Sequence, residues 1–265
     1  MKPKVAIIGG RGQMGRWFKN FFEDQGLTVL VADLATPHTS QEIAPLADVV
    51  VISVPIPQVA QVVQEVAPYL RPDAALMDLT SVKTEPVAAM LAHFPGEVVG
   101  THPLFGPREE NIKGRTVLLC PGRGQKWLDW LENLLLQAGA QVQITTPEEH
   151  DRLMALVQGL AHFLLISLGV TIRRMGIDLK YLEDFLTPTF RTLHYLTWHL
   201  LSQDVALYAC IQLQNQSNLP VLNAFEAAGQ EVLSLVQGRD MKGLINLLME
   251  VRQYYLAALG EEVHF

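Results

Sequence analysis

A chain of 265 residues, 49% of them hydrophobic and 18% charged, can bury one large core or two modest ones. Its formal net charge of −7 argues against a general nucleic-acid or membrane-surface binder, although a local basic pocket for an anionic substrate is compatible with it. Cys120 and Cys210 lie in apolar surroundings without metal-ligand spacing, so buried free thiols and no metal site are expected.

Val5-Ala6-Ile7-Ile8 has the character of a strand covered on both faces. No charged-then-apolar leader precedes it in this sequence, and a cytoplasmic location is expected. The run passes into Gly9-Gly10-Arg11-Gly12-Gln13-Met14-Gly15, in which Gly10, Gly12 and Gly15 fit G-x-G-x-x-G. Gly10 should permit a tight turn, Gly12 a close approach of the backbone to a pyrophosphate, and Gly15 close packing of the next helix. That helix is expected over 14–25, with Trp17, Phe18, Phe21 and Phe22 at helical spacing and Gly26 as its stop. A strand over 28–32 then ends at Asp33, about 18 residues past Gly15, near where this fingerprint places an acid for the ribose hydroxyls. Residues 34–40 hold no Lys or Arg to meet a 2′-phosphate, so NAD is the expected cofactor. Arg11, inside the glycine loop, keeps NADP open.

Further on, a short helical stretch is expected over 40–46, strands over 48–54, 74–78, 97–101, 116–120 and 141–144, and helices over 57–70, 82–93 and 125–138. Alternating strands and helices predict an α/β class: a Rossmann-type, doubly wound, mostly parallel sheet over 1–146. Ligands of such sheets bind at the carboxyl ends of the strands. Ser53-Val54-Pro55, Thr80-Ser81-Val82-Lys83 and Thr101-His102-Pro103 are therefore the segments of interest.

After Thr145-Thr146-Pro147 the pattern becomes wholly helical, predicting an all-α domain over 147–265 with helices over 150–175, 179–186, 188–202, 203–215, 220–237 and 241–259. Residues 153–172 approach the apolarity of a membrane span, but Gln158, His162 and Ser167 favour a helix buried in protein. Helices this apolar exceed what one small bundle can cover, and a homodimer through this domain is expected.

Among candidate chemical groups, His102 stands at a strand end before a loop stiffened by Pro103, Gly106 and Pro107, where it could accept a proton or simply cap the strand. The Ser81 hydroxyl is placed to meet a substrate oxygen and a nicotinamide, or to cap a helix. Lys83 reads as an anion contact or as a solvated first-turn lysine. His150 and His162, on one expected helix, would point about 120° apart and so could not share a metal. His162 sits among apolar residues as a core histidine would, and His194 and His199 read as packing residues. Arg191 opens an otherwise apolar helix, an odd place for a guanidinium unless a carboxylate meets it. Glu148, Glu149 and Asp151 read as helix-start charges.

The glycine loop, Ser53-Val54-Pro55, Asp78-Leu79-Thr80-Ser81-Val82-Lys83, Gly100-Thr101-His102-Pro103-Leu104-Phe105-Gly106-Pro107 and Glu149-His150-Asp151 occur in this order. Together they resemble the prephenate dehydrogenase family of tyrosine biosynthesis, over nearly the whole chain. The resemblance is closest to the dehydrogenase part of the bifunctional chorismate mutase/prephenate dehydrogenases, without the mutase segment. It implies NAD-dependent oxidative decarboxylation of prephenate to 4-hydroxyphenylpyruvate and carbon dioxide. His102 would then draw the proton of the ring hydroxyl, Ser81 would orient hydroxyl and cofactor, Arg191 would bind the ring carboxylate, and His162 would lie in the substrate pocket. Gly10, Arg11, Gly12, Gln13, Met14, Gly15, Asp33, Ser53 and Pro55 would hold the dinucleotide. Two departures stand out: Gly159 occupies a place where many relatives have histidine, and Arg11 one where many have a small residue. Arogenate dehydrogenase is the nearest rival. More distant rivals are the 3-hydroxyacid dehydrogenases, the pyrroline-5-carboxylate reductases and a non-catalytic NAD-binding sensor. Tyrosine feedback inhibition is left open by the sequence.

Overall fold

The computed structural model describes residues 2–260. Its first part alternates β1 (Lys4–Ile8), α1 (Gln13–Asp24), β2 (Thr28–Ala32), α2 (Ser40–Ile43), β3 (Val49–Ile52), α3 (Val59–Val66), β4 (Ala75–Asp78), α4 (Thr84–His93), β5 (Glu97–Pro103), β6 (Thr116–Arg123), α5 (Lys126–Gln137) and β7 (Gln141–Ile144). The seven strands form one sheet in the order β2-β1-β3-β4-β5-β6-β7. The first five in that order run parallel. β6 returns antiparallel to β5, and β7 runs parallel to β6. The reversal follows from the connection: residues 104–115 contain no crossover helix, and without one the chain comes back in the opposite sense.

Successive strand residues point to opposite faces, and both faces are apolar, so the sheet is covered twice. Val5, Ile7, Val49, Val51 and Met77 meet Phe18, Phe21 and Phe22 of α1 and Trp127, Leu128, Leu131 and Leu135 of α5. Ala6, Ile8, Val50, Ile52 and Leu76 meet Val59, Val63 and Val66 of α3 and Val87 and Met90 of α4. Full burial of each larger aliphatic or aromatic side chain is worth about 1.5–3 kcal/mol, enough for these two layers to fix the sheet. The expected elements differ mainly at their ends. Pro57 lies in a 3-10 turn, Ile56–Gln58, ahead of α3, and α4 begins only at Thr84 because Val82 and Lys83 are drawn into the interior.

The remaining elements are helical: α6 (Pro147–Met154), a π-helical segment (Ala155–Leu160), α7 (Ala161–Met175), α8 (Leu179–Leu182), α9 (Pro188–Leu201), α10 (Val205–Gln214), α11 (Asn218–Gln237) and α12 (Met241–Leu259). α6 opens on a Thr146 cap that accepts the Glu149 N–H, with Pro147 in the first turn. The stretch Pro147–Met175 is long and apolar enough to cross a membrane by length and composition. Only 17% of its most apolar window is buried within this chain, so the burial expected for it is not supplied by the chain's own core.

By packing, the chain divides into two compact units, 1–218 and 219–265. The first holds the sheet and the helices through α10. In the second, Asp240 caps α12 by accepting the Gly243 N–H at 2.9 Å, and Val232, Leu233, Ile245, Leu248, Tyr254 and Tyr255 are exposed.

Candidate active site

Strand order reverses between β1 and β3, and at such a switch point the loops after the two strands part to leave a crevice. The β1 loop turns at Gly9, whose φ of +80° is left-handed and whose Cβ would run into the Ser53 carbonyl. The tight turn expected at Gly10 therefore lies one residue earlier. Gly10 is small for another reason, since a Cβ there would meet Val31 Cγ1 at 2.7 Å. At Gly15 a Cβ would come within 2.5 Å of the Gly9 carbonyl oxygen and 2.7 Å of Gly10 Cα, so α1 packs on the turn only without a side chain. Gly12 caps α1 with no side-chain hydrogen bond, which leaves the first N–H groups of the helix without a side-chain acceptor. These donors, with Gly12, Gln13 and Met14 lining the crevice, fit a diphosphate.

Asp33 follows β2. Its carboxylate accepts the Arg11 N–H at 2.9 Å and the Leu34 N–H at 2.8 Å, while Arg11 Nη1 donates to the Ala35 carbonyl at 2.8 Å. Acid and guanidinium thus share the corner where a ribose would lie.

His102, near the end of β5, is 2% exposed. Its Nδ1 lies 2.8 Å from Nε2 of His150, whose own Nδ1 lies 2.8 Å from Asp151 Oδ1. Asp151 also accepts the backbone N–H groups of Lys83 at 2.8 Å and Thr84 at 2.9 Å, capping the start of α4. Burial, reinforced by His150 and Lys83 and opposed by Asp151, holds His102 well below the usual histidine range. His150 is lowered chiefly by burial, against the hydrogen bond it donates to Asp151. Burial alone would raise the Asp151 carboxyl, but the hydrogen bonds it accepts outweigh that and leave it below its ordinary value. Lys83 is fully buried, paired with Asp78, and donates to the Thr101 carbonyl at 2.9 Å. This excludes the solvated lysine of the sequence reading. Removing one partner of such a buried pair costs about 3–5 kcal/mol, which points to a role in holding the end of β5.

A cleft of about 720 Å³ opens beside these groups. Its wall brings together Gly12, Gln13, Met14, Ser53, Pro55, Ser81 and His102 from the sheet's carboxyl edge, with Gln158, His162 and Tyr208 from the helices. His162 meets Tyr208 edge-on with ring centroids 4.7 Å apart, its buried Nδ1 has no hydrogen-bond partner among the described residues, and burial lowers it to about 4. The core histidine of the sequence reading is thus a wall residue with an open polar atom. Cys210, expected to be buried, is half-buried in the same wall, whereas Cys120 is buried and its thiol pushed up to about 12 by that burial. Gly10, Arg11, Gly15 and Asp33 stand outside the wall, in the glycine turn and the corner after β2. Arg191 lies exposed on α9 and does not line the cleft within one chain.

Residue-by-residue reading missed the Asp151–His150 pair, taking Asp151 for a helix-start charge. The signal available was the tripeptide Glu149-His150-Asp151. Gly159, seen as a gap in the polar lining, is small because a Cβ there would run into Asn218 Oδ1. The π-helical segment also displaces His162 from the direction that uniform helical spacing gives relative to His150.

A diphosphate cradle at the switch point of a doubly wound sheet, beside a cleft holding a buried histidine, is an arrangement that suits a nucleotide-dependent oxidoreductase. The chain belongs to the prephenate dehydrogenase family. Residues 19–144 match the family's nucleotide-binding domain and residues 146–250 its dimerization domain. It is 32% identical over 270 residues to a probable arogenate/prephenate dehydrogenase of Methanocaldococcus jannaschii, covering 95% of this chain and 60% of that protein. To the T-protein of Haemophilus influenzae it is 32% identical over 252 residues, covering 95% of this chain and 67% of that protein. The chain thus spans about two thirds or less of the length of these relatives. Its fold is similar to that of the A. aeolicus prephenate dehydrogenase solved with hydroxyphenyl propionate and NAD+, with a TM-score of 0.76 and 21% identity over 97% of this chain and 99% of that one.

Proposed function

We propose that this protein catalyses the NAD-dependent oxidative decarboxylation of prephenate to 4-hydroxyphenylpyruvate and carbon dioxide, in the cytoplasm. The observation that carries the reading is the buried His102 on the wall of the same cleft as the glycine cradle. NAD, when bound, accepts the hydride that leaves the ring carbon bearing the hydroxyl. Loss of carbon dioxide makes the ring aromatic, so the task left to the protein is alignment and proton removal. Gly12, Gln13 and the start of α1 hold the diphosphate, and Asp33 takes the ribose hydroxyls. Ser53 and Pro55 bound the crevice. Ser81 orients the substrate hydroxyl, and His102 takes its proton as the ring carbonyl develops. His162 offers a polar contact from the helical wall, and the carboxylate fork is assigned to Arg191 on the family resemblance alone, since it does not line the cleft of a single chain.

We assign residues 1–146 to nucleotide binding and residues 147–265 to substrate binding and dimerisation. The exposed apolar faces of α7, α9, α11 and α12 support a homodimer through the helical part.

The decisive experiment is the initial rate of NADH or NADPH formation with prephenate and with arogenate, each tested with NAD and with NADP. Prephenate with NAD should dominate. Preference for arogenate would move the specificity to the substrate's side-chain pocket, and preference for NADP would give Arg11 the 2′-phosphate. No turnover with any pair would overturn the reading in favour of another reductase or a sensor.

A further inference from the structure

We propose that His150 and Asp151 are positioning residues that hold His102 in the tautomer with its proton on Nδ1, leaving Nε2 as the base. This deepens the proton-acceptor role proposed above and rests on it.

Asp151 accepts two main-chain N–H groups, from Lys83 and Thr84, and these donors cannot exchange roles with it. They favour an ionised carboxylate, which can only accept, so the 2.8 Å contact with His150 requires the proton on His150 Nδ1. A neutral His150 then presents the lone pair of Nε2 to His102 at 2.8 Å. His102 must answer with an Nδ1–H, and its Nε2, with no hydrogen-bond partner among the described residues, carries the free lone pair. Protonation of His150 would reverse the order: both its nitrogens would donate, and His102 would have to keep its proton on Nε2, where it blocks the base.

The charged and titratable groups around the pair favour the neutral arrangement. Asp78 faces it from the end of β4, Lys83 from the segment between β4 and α4, Asp151 from α6, and the Cys120 thiol from β6. Lys83 disfavours a second cation there, and its pairing with Asp78 keeps it in place. The dyad is thus both a cap for α4 and a proton-placing device, which ties the geometry of the base to the first turn of a core helix.

The test is the nitrogen-15 NMR spectrum of the histidine rings in the full-length chain at neutral pH, with His102 assigned by the signal lost in His102→Asn. Both His102 and His150 should show protonated Nδ1 and bare Nε2. His150→Leu should lower kcat with prephenate about 100-fold with little change in KM, and release His102 into a mixture of tautomers. In His150→Gln, whose amide oxygen can still accept from His102, the Nδ1–H tautomer and most of the turnover should survive. Protonation of His102 on Nε2 in the wild type would overturn the proposal, as would a folded His150→Leu protein with unchanged kcat and pH profile. If His150→Leu does not fold, the wild-type spectrum and His150→Gln decide. The ring spectrum needs no substrate, so a wild-type chain that turns over neither prephenate nor arogenate would sink the functional reading while the tautomer is still judged.

Discussion

At the scale of single residues, burial decides the behaviour of His102 more than its identity does. A histidine in water is half protonated near pH 6.5, whereas this one is held well below that by burial and by the nearby His150 and Lys83. The neutral form is the base, and the protonated fraction grows only as pH falls through the depressed value. We therefore expect kcat to be flat from pH 6.5 upward and to fall only below it, as measured with prephenate across pH 4.5–9. An acid limb centred above pH 6.5 would show that His102 is not the group titrating. His102→Asn should mainly lower kcat, by about 100-fold or more, and Arg191→Ala should mainly raise KM. Normal kinetics in both variants would remove the assignments. The cleft positions of His102 and Ser81 were legible in the sequence because one stands near the end of β5 and the other follows β4 at the sheet's carboxyl edge. Asp78, Lys83 and Asp151 were not, because whether a charge is solvated or buried against a distant partner is a property of packing.

At the scale of elements, the glycine turn and the π-helical segment make opposite cases. The turn could be read from spacing, since the chain has no other way to bring α1 against β1, and only the left-handed residue shifted, from Gly10 to Gly9. Gly15→Ala should force α1 outward from the Gly9 carbonyl, costing about 1–3 kcal/mol in urea unfolding and weakening dinucleotide binding measured by calorimetry. Unchanged stability and affinity would mean that the helix need not pack so closely. The π-helical segment leaves no comparable mark: Ala155–Leu160 continues the apolar rhythm of its neighbours, and the wider turn appears only once the helix is built. It places Val157 and Gln158 on the cleft wall ahead of His162.

At the scale of the whole molecule, the helical part keeps too little of its apolar surface inside one chain. Trp198, Tyr195, Leu213, Leu248 and Tyr254 are exposed, as is most of the apolar window within Pro147–Met175. A stable partner typically covers about 1,200–2,000 Å² or more in total, and obligate homodimers exceed this with apolar contacts. Sedimentation equilibrium should accordingly return twice the mass of one chain at micromolar concentration. A monomer that instead partitions into lipid vesicles would replace the second copy with a membrane as the cover.

The sequence by itself determined the alternation of strands and helices, the mostly parallel sheet, the nucleotide cradle and the strand ends that face it, because periodicity and glycine spacing act over a few residues at a time. The reversal of β6 was not read from the sequence, although no helix was expected between the strands over 97–101 and 116–120. The tertiary structure alone decided that Asp151, 49 residues beyond His102 in the chain, reaches it through His150, and that Lys83 turns inward to Asp78. It also decided that Arg191 stays outside the cleft of a single chain. Contacts of this kind depend on which faces meet once the sheet has closed, and desolvation, which sets the protonation of His102, exists only after that closure.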